Sequence, residues 1–446
     1  MGFNRITRAG FTGRAFVSAL AAGTVLVSAT AASARVELGA SAERAQLTIG
    51  CMFPMTGRSG IYGRDSVGGM RVALAELEKR GNAPALRILV EDDRSKASYA
   101  VRIADGFIRH DGARVLCGVV SSGVAQAVSA LAQRRKVVFV GTDHASSRMT
   151  VEGFHRYYFR VSNDTHTSMA AGARYLAELQ KKEGWTRLAF VGADYDYGHV
   201  SWQDLESSLA QLGVRYQLVA QVWPKLYEPD YSVHIAALRK AKPDIVVAAL
   251  WGGDFIGFLR QSMSAGLTRE AKLANFDTGG NYDTLTALDG QAPQGLILSA
   301  RHHNNWPDTA RNREFVESFR AIEGRYPTYA AEGAYTGILA VAAALRAAGP
   351  QADTEALVDA LEHLRLELPE DPDGFVSYMD PGTHQLVQMQ AIGEPVPDTR
   401  FPPAKVSLGH WTVYPAEALQ PSPDLVRRRR AAAAVPPMLA EPAYDP

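Results

Sequence analysis

Small polar and aromatic residues follow one apolar run after another along this chain, in a pattern suited to gripping a small solute. Pro54-Met55-Thr56-Gly57 follows Leu47–Met52, and Ser121-Ser122-Gly123 follows Val115–Val120. Gly141-Thr142-Asp143-His144 follows Val137–Val140. Further on, Gly192-Ala193-Asp194-Tyr195-Asp196-Tyr197-Gly198, Trp251-Gly252-Gly253-Asp254 and Phe276-Asp277-Thr278-Gly279-Gly280-Asn281 stand at equivalent places. Serine hydroxyls ahead of a helix, with the free amides of its first turn, can hold a carboxylate or carbonyl oxygen. The same serines can equally be plain N-caps, as Asp254 can. Aromatic walls supply contact area and a few polar groups fix orientation.

Catalytic patterns are missing from the sequence. The Gly-rich stretches at Gly57–Gly63 and Gly279–Gly280 match neither a P-loop nor a dinucleotide fingerprint. Neither G-x-S-x-G nor H-E-x-x-H occurs. His302-His303 would point to opposite faces of a strand, a poor shared metal site. The expectation is a non-enzyme with no metal and no cofactor.

The elements that position these loops alternate regularly. Leu47–Met52, Leu86–Val90, Val115–Val120 and Val137–Val140 read as strands, separated by helical stripes such as Val67, Met70, Leu74 and Leu77. Tyr157–Val161 leaves this unit, and a second begins with strands at Leu188–Val191, Gln217–Val222, Ile245–Leu250 and Gly295–Ala300. The order implies an α/β chain with two similar doubly wound parallel-sheet lobes, whose ligands sit outside the carboxyl ends of the strands. Phe375–Tyr378 and Gln385–Gln390 read as a hairpin around Asp-Pro-Gly-Thr. We expect lobe 1 to comprise 46–162 and 301–370, lobe 2 163–300 and 371–415, and 421–446, with Arg427–Arg430, to be a disordered tail.

Arg5, Arg8 and Arg14 precede an apolar, small-residue stretch ending in Ala32-Ser33-Ala34, the pattern of a signal peptide (1–34) cleaved after Ala34. A mature chain without stable membrane insertion is expected. The 47 basic and 47 acidic residues balance, so nucleic acid is not an expected partner. The two cysteines, Cys51 and Cys117, fall in strand-like runs; buried free thiols are expected, although export permits a disulfide.

Taken together, the segments resemble the type I periplasmic solute-binding proteins of ABC importers, in the leucine/isoleucine/valine-binding family, from about Gln46 to Gln390. Pro54-Met55-Thr56-Gly57 with Ile61-Tyr62-Gly63 is similar to the family's first cleft loop, and Gly118 to Val124 to its Gly-x-x-Ser-Ser segment. The resemblance implies that Ser121 binds a solute carboxylate, that Asp196-Tyr197-Gly198 is the second-lobe loop, and that Asp277 meets an ammonium group. It further implies two lobes joined by three crossings, closing by a hinge motion, an ABC permease as partner, a periplasmic location and a monomer. Ala145 stands where the family has a threonine, and Asp143 and His144 add charge and bulk, so branched-chain amino acid binding is not a given. The expected ligand residues are Tyr62, Ser121, Ser122, Gly123, Asp143, His144, Ala145, Tyr197, Trp251, Asp277 and Tyr335. An amino acid, an amide or an aromatic acid is the expected solute. The alternatives are a periplasmic ligand sensor of the same fold and, less favoured, an exported hydrolase using Asp143 and His144 or Asp277.

Overall fold

A computed structural model describes residues 35–81 and 83–433; the expected signal peptide lies outside the described residues. Lobe 1 opens with strands β1 (Val36–Gly39), β2 (Leu47–Phe53), β3 (Leu86–Asp92), β4 (Val115–Gly118), β5 (Val138–Gly141) and β6 (Tyr158–Arg160). Helices α1 (Gly60–Lys79), α2 (Ala97–Arg109) and α3 (Ser122–Arg135) alternate with them. Lobe 2 repeats the plan with α4 (Thr165–Glu183), β7 (Arg187–Gly192), α5 (Asp196–Gln211), β8 (Gln217–Val222), α6 (Ser232–Ala241) and β9 (Ile245–Ala249). It continues through α7 (Gly252–Ala265), α8 (Leu267–Glu270), β10 (Lys272–Asn275), α9 (Tyr282–Ala287) and β11 (Leu296–Leu298). The chain then returns to lobe 1 for α10 (Ala310–Glu323), α11 (Tyr329–Ala348), α12 (Thr354–Glu362), β12 (Arg365–Leu366), β13 (Ser377–Asp380) and β14 (Gln385–Val387). Strands β15 (Gln390–Pro397) and β16 (Val406–Tyr414) and helix α13 (Pro423–Ala432) follow.

Among the described residues the lobe 1 sheet runs β1-β3-β2-β4-β5-β6-β14-β13-β12, and the lobe 2 sheet runs β16-β15-β11-β10-β9-β7-β8. The central pairings are parallel; the edge strands β1, β12 and β16 pair antiparallel, while the edge strand β8 pairs parallel with β7. Near-continuous apolar strands such as Ile245–Ala249, buried along their whole length, are what a sheet covered on both faces requires. Helices α1 and α11 pack closely because Gly69 faces the main chain of Ala331, where a Cβ would lie 1.9 Å from the carbonyl oxygen.

Three expectations change here. Residues 371–387, assigned to lobe 2, carry β13 and β14 and belong to the lobe 1 sheet, so the third crossing falls at 388–389. The hydrophobic alternation identifies the hairpin but not the sheet it joins, which is set by the parallel bridge of Gln385 to Arg160. Cys51 and Cys117 are bonded rather than free: direct register across β2 and β4 brings their Cα atoms to 4.4 Å, at the near edge of the disulfide range. Part of the expected disordered tail is helix α13, capped by Ser422 and anchored by buried Leu425 and Val426. Arg429 meets Glu152 and Asp204, from opposite lobes, at 2.8 and 2.7 Å, and Arg430 donates to the carbonyls of Val151, Thr150 and Gly382. Arg429 and Arg430 thus leave the expected solvated run, whereas Arg427 and Arg428 stay exposed beside Asp424 of the same helix.

Candidate functional site

The carboxyl ends of both sheets face each other, and the loops there meet between the lobes. From lobe 1, α3 begins where the backbone leaves the sheet sharply: Gly118 has φ +103°, and a Cβ there would sit 2.5 Å from the Met52 carbonyl. Ser121 is the residue before the first helical turn, in an extended conformation, and its hydroxyl makes no capping bond. The first N–H groups of a helix lack intrahelical partners, so Ser121, Ser122 and Gly123 present hydroxyl and amide donors together. The Ser122 hydroxyl accepts from the Ser146 amide at 3.2 Å, tying this turn to the loop after β5.

The lobes are closed onto each other. The Tyr62 hydroxyl of α1 donates to Asp283 of α9 at 2.6 Å, and the Tyr329 amide of α11 donates to Asn281 at 3.1 Å. Arg58 donates to the Tyr227 carbonyl at 3.0 Å, and Arg148 pairs with Asp196 at 2.9 Å. The Tyr62 ring stacks on Tyr329 with centroids 5.4 Å apart and lies 5.9 Å from Trp251. The Trp251 indole donates to the Tyr195 hydroxyl at 2.8 Å. An aromatic wall therefore spans the interface, with the Tyr62 hydroxyl and the Trp251 indole N–H already paired.

Asp277, at the end of β10, is fully occupied. Its Oδ1 accepts from Arg301 Nε at 2.9 Å and the Ser168 hydroxyl at 3.1 Å; its Oδ2 accepts from Arg301 Nη2 at 2.7 Å and the Tyr197 hydroxyl at 2.8 Å. Arg301 also donates through Nη1 to the main-chain oxygen of Asp143, and its guanidinium lies 4.9 Å over the Tyr329 ring.

The Asp143 carboxyl accepts from Thr142 and Ser66, and its Oδ1 has no partner among the described residues. Burial pushes its pKa up to about 8, against the opposing pull of Thr142 and Arg301. A neutral Asp143 does not repel a neighbouring carboxylate. His144 turns from the cleft: Nδ1–H donates to the Val119 carbonyl at 3.0 Å, and Nε2 accepts from the Tyr158 hydroxyl at 2.7 Å. Burial lowers its pKa to about 3. Asp143 and His144 thus take separate partners and form no hydrogen-bonded dyad. The Ala145 carbonyl accepts from the Thr165 amide at the first crossing. Tyr335 lies elsewhere, on the face of α11 against Phe315, with its hydroxyl on Glu76. Of the residues expected at the site, Tyr62, Tyr197, Trp251 and Asp277 meet in one contact network, while His144 and Tyr335 do not join it.

Arg301, Tyr329, Asp283 and Ser168 lie outside every loop singled out in the sequence, and Tyr195 lies in one of those loops but not among the expected ligand residues. Arg301 was within reach: it directly follows the strand read at Gly295–Ala300, so the strand-end rule applied to the other loops selects it too. The adjacent histidines are both buried, His302 on Asn312 at 2.9 Å and His303 edge-on to Trp411.

The buried acids and histidines predict a pH profile. Burial raises Asp143 to about 8 and Asp93 to about 7, and raises the hydrogen-bonded Glu332 and Glu370. Unfolded, such carboxyls ionise near pH ~4, so the folded state holds extra protons and stability falls as pH rises from there through about 8. Burial also lowers His144, His302, His303 and His155 to about 3 or 4, an effect that raises stability up to about pH 6.5 and is then complete. Between pH ~6.5 and 8.5 only the carboxyls still act, so thermal melts should show a falling midpoint there, flattened by Asp143→Asn. A midpoint that rises over this range would contradict the assignment.

Two similar α/β lobes, three crossings and polar loops meeting between them define a two-lobed solute-binding protein. The chain belongs to the periplasmic binding protein family, whose model matches residues 46–397. It is 26% identical over 332 residues to Leu/Ile/Val-binding protein homolog 1 of Brucella melitensis, spanning 73% of this chain and 84% of that one. A solute-binding protein of an ABC transporter from Rhodopseudomonas palustris, solved in complex with 3,4-dihydroxybenzoic acid, superposes with a TM-score of 0.72 at 22% identity, covering 83% of this chain and 97% of that one. An amino acid ABC transporter substrate-binding protein from Pseudomonas fluorescens superposes with a TM-score of 0.73 at 22% identity, covering 86% and 98%.

Proposed function

We propose that this protein captures a small organic carboxylate between its lobes and delivers it to the membrane permease of an ABC importer. The observation that carries this is the first turn of α3: the Ser121 hydroxyl makes no cap, and the first N–H groups of the helix have no partner within it, at the end of the lobe 1 sheet from which the interlobe contacts are made. In this reading Ser121, Ser122 and Gly123 hold the carboxylate, and Tyr62, Tyr197 and Trp251 enclose the remainder. A solute gripped from both sides favours the closed state because it touches each lobe only there. The curated relative named for leucine, isoleucine and valine, and the solved protein holding a dihydroxybenzoate, support a solute carrying a carboxylate.

The test is thermal unfolding of the mature chain, refolded to remove carried-over solute, against amino acids, aromatic acids, amides and polyamines. A ligand at about a hundredfold its Kd stabilises by roughly 2.7 kcal/mol, a shift of a few degrees. Carboxylates should shift the midpoint, and Ser121→Ala should weaken the one that binds by about 10- to 100-fold, the loss of a hydrogen bond to a charged group. A shift confined to amides or polyamines would refute the carboxylate reading.

A further inference from the structure

We propose that Arg301 is a built-in counter-ion that occupies the ammonium position of this site, so the solute is a carboxylate that carries no α-ammonium group. The inference rests on the interlobe reading above and narrows it. Two nitrogens of the guanidinium face the two oxygens of Asp277 side by side, at 2.9 and 2.7 Å. Ser168 and Tyr197 fill the remaining acceptor directions of that carboxylate. A carboxylate offers about four lone-pair sites, and all four are taken. An incoming ammonium would find no free acceptor on Asp277 and would stand beside a fixed positive charge.

The surroundings hold Arg301 in place. It is 6% exposed, its third nitrogen donates to the Asp143 carbonyl of lobe 1, and its flat face covers Tyr329. Displacing it would leave two buried charges without partners, a cost that a solute ammonium would have to offset. Of the other acids between the lobes, Asp283 is engaged by the Tyr62 hydroxyl and the Thr284 amide, and Asp196 pairs with Arg148. Asp143 accepts from Thr142 and Ser66 through Oδ2 alone; its Oδ1 has no partner among the described residues, but burial raises its pKa to about 8, so the carboxyl is largely neutral and offers an ammonium no full counter-charge. Arg301 thus acts as a specificity-determining residue: it neutralises Asp277 internally and leaves a net demand for negative charge at the first turn of α3.

Matched pairs that differ only by the amino group test this: 4-hydroxyphenylacetate with 4-hydroxyphenylglycine, 3-phenylpropanoate with phenylalanine, and 4-methylpentanoate with leucine. Titration calorimetry on the refolded mature chain should show the desamino member of at least one pair binding at least tenfold tighter than its partner. An amino member that binds equally well or better overturns the inference and leaves the carboxylate reading standing. Failure of all six compounds to bind refutes the carboxylate reading and this inference with it. Arg301→Gln, where it folds, should move the affinity ratio at least tenfold toward the amino member, a readout that loss of structure alone would not move. An unchanged ratio in the folded variant would overturn the role of Arg301; should it not fold, the wild-type pairs decide.

Discussion

Arg160→Leu is expected to destabilise the protein by about 3–5 kcal/mol, because it strips the partner from a buried charge at the first crossing. Arg160 ends β6 and is completely buried. Its Nε donates to Gln385 at 2.7 Å, Nη1 to the Ser146 carbonyl at 2.6 Å, and Nη2 to Thr150 at 3.1 Å and Asp164 at 2.9 Å. One side chain therefore joins the loop after β5, the entry to α4 and the hairpin strand that leads to the third crossing. Leucine would fill some of the volume but leave the Asp164 carboxyl buried without its cationic partner, with the Ser146 carbonyl and the Gln385 oxygen short of donors. Asp164 also caps α4 by accepting from the Thr167 amide at 2.8 Å. Adding Asp164→Asn to Arg160→Leu should restore part of the loss, since it removes the orphaned charge while keeping a capping oxygen. Denaturant unfolding of the two variants measures this directly. A loss of under about 1 kcal/mol for Arg160→Leu would mean that water or relaxation replaces the network.

The strand-and-helix alternation was legible because each apolar run and each helical stripe is a local pattern. The apolar pattern Leu47–Met52 ends one residue short of β2, and Ile245–Leu250 runs one residue beyond β9. The loops that gather between the lobes were legible for the same reason, since strand ends in a parallel sheet converge wherever the chain later folds. What escaped depends on partners far away in sequence. Nothing near Phe375 reveals that the hairpin joins β6, a choice carried by one bridge to Arg160. Nothing near Arg427 indicates that Glu152 and Asp204 await Arg429, some 225 residues or more away. The family resemblance marked Asp277 as an acid free for an ammonium, but not that Arg301, 24 residues on, folds back against it. A charged residue read alone looks available; its pairing is a property of the fold.

The disulfide joins this argument to export. Cys51 and Cys117 lie in register on β2 and β4, with a sequence separation of 66, and Cys117 is four positions before Ser121. Disulfides persist in oxidising compartments, which agrees with a periplasmic location. Cys51→Ala with Cys117→Ala should cost about 2–4 kcal/mol, chiefly by freeing the unfolded chain from a closed loop of that length. Part of the cost is the gap left where two buried sulfurs packed. Solute affinity should change by less than about threefold (under ~0.7 kcal/mol), because the proposed contacts come from the loops beyond the strands, and the β2–β4 pairing keeps its main-chain hydrogen bonds without the bond. Melts of the double variant and of the wild type with and without reductant give the first number, and titration with the solute that shifts the wild type gives the second. An unchanged midpoint would show that sheet pairing alone fixes this strand pair. A tenfold loss of affinity at intact folding would show instead that the spacing of the β2 and β4 ends sets the aim of the α3 amides, making the bond part of the binding apparatus.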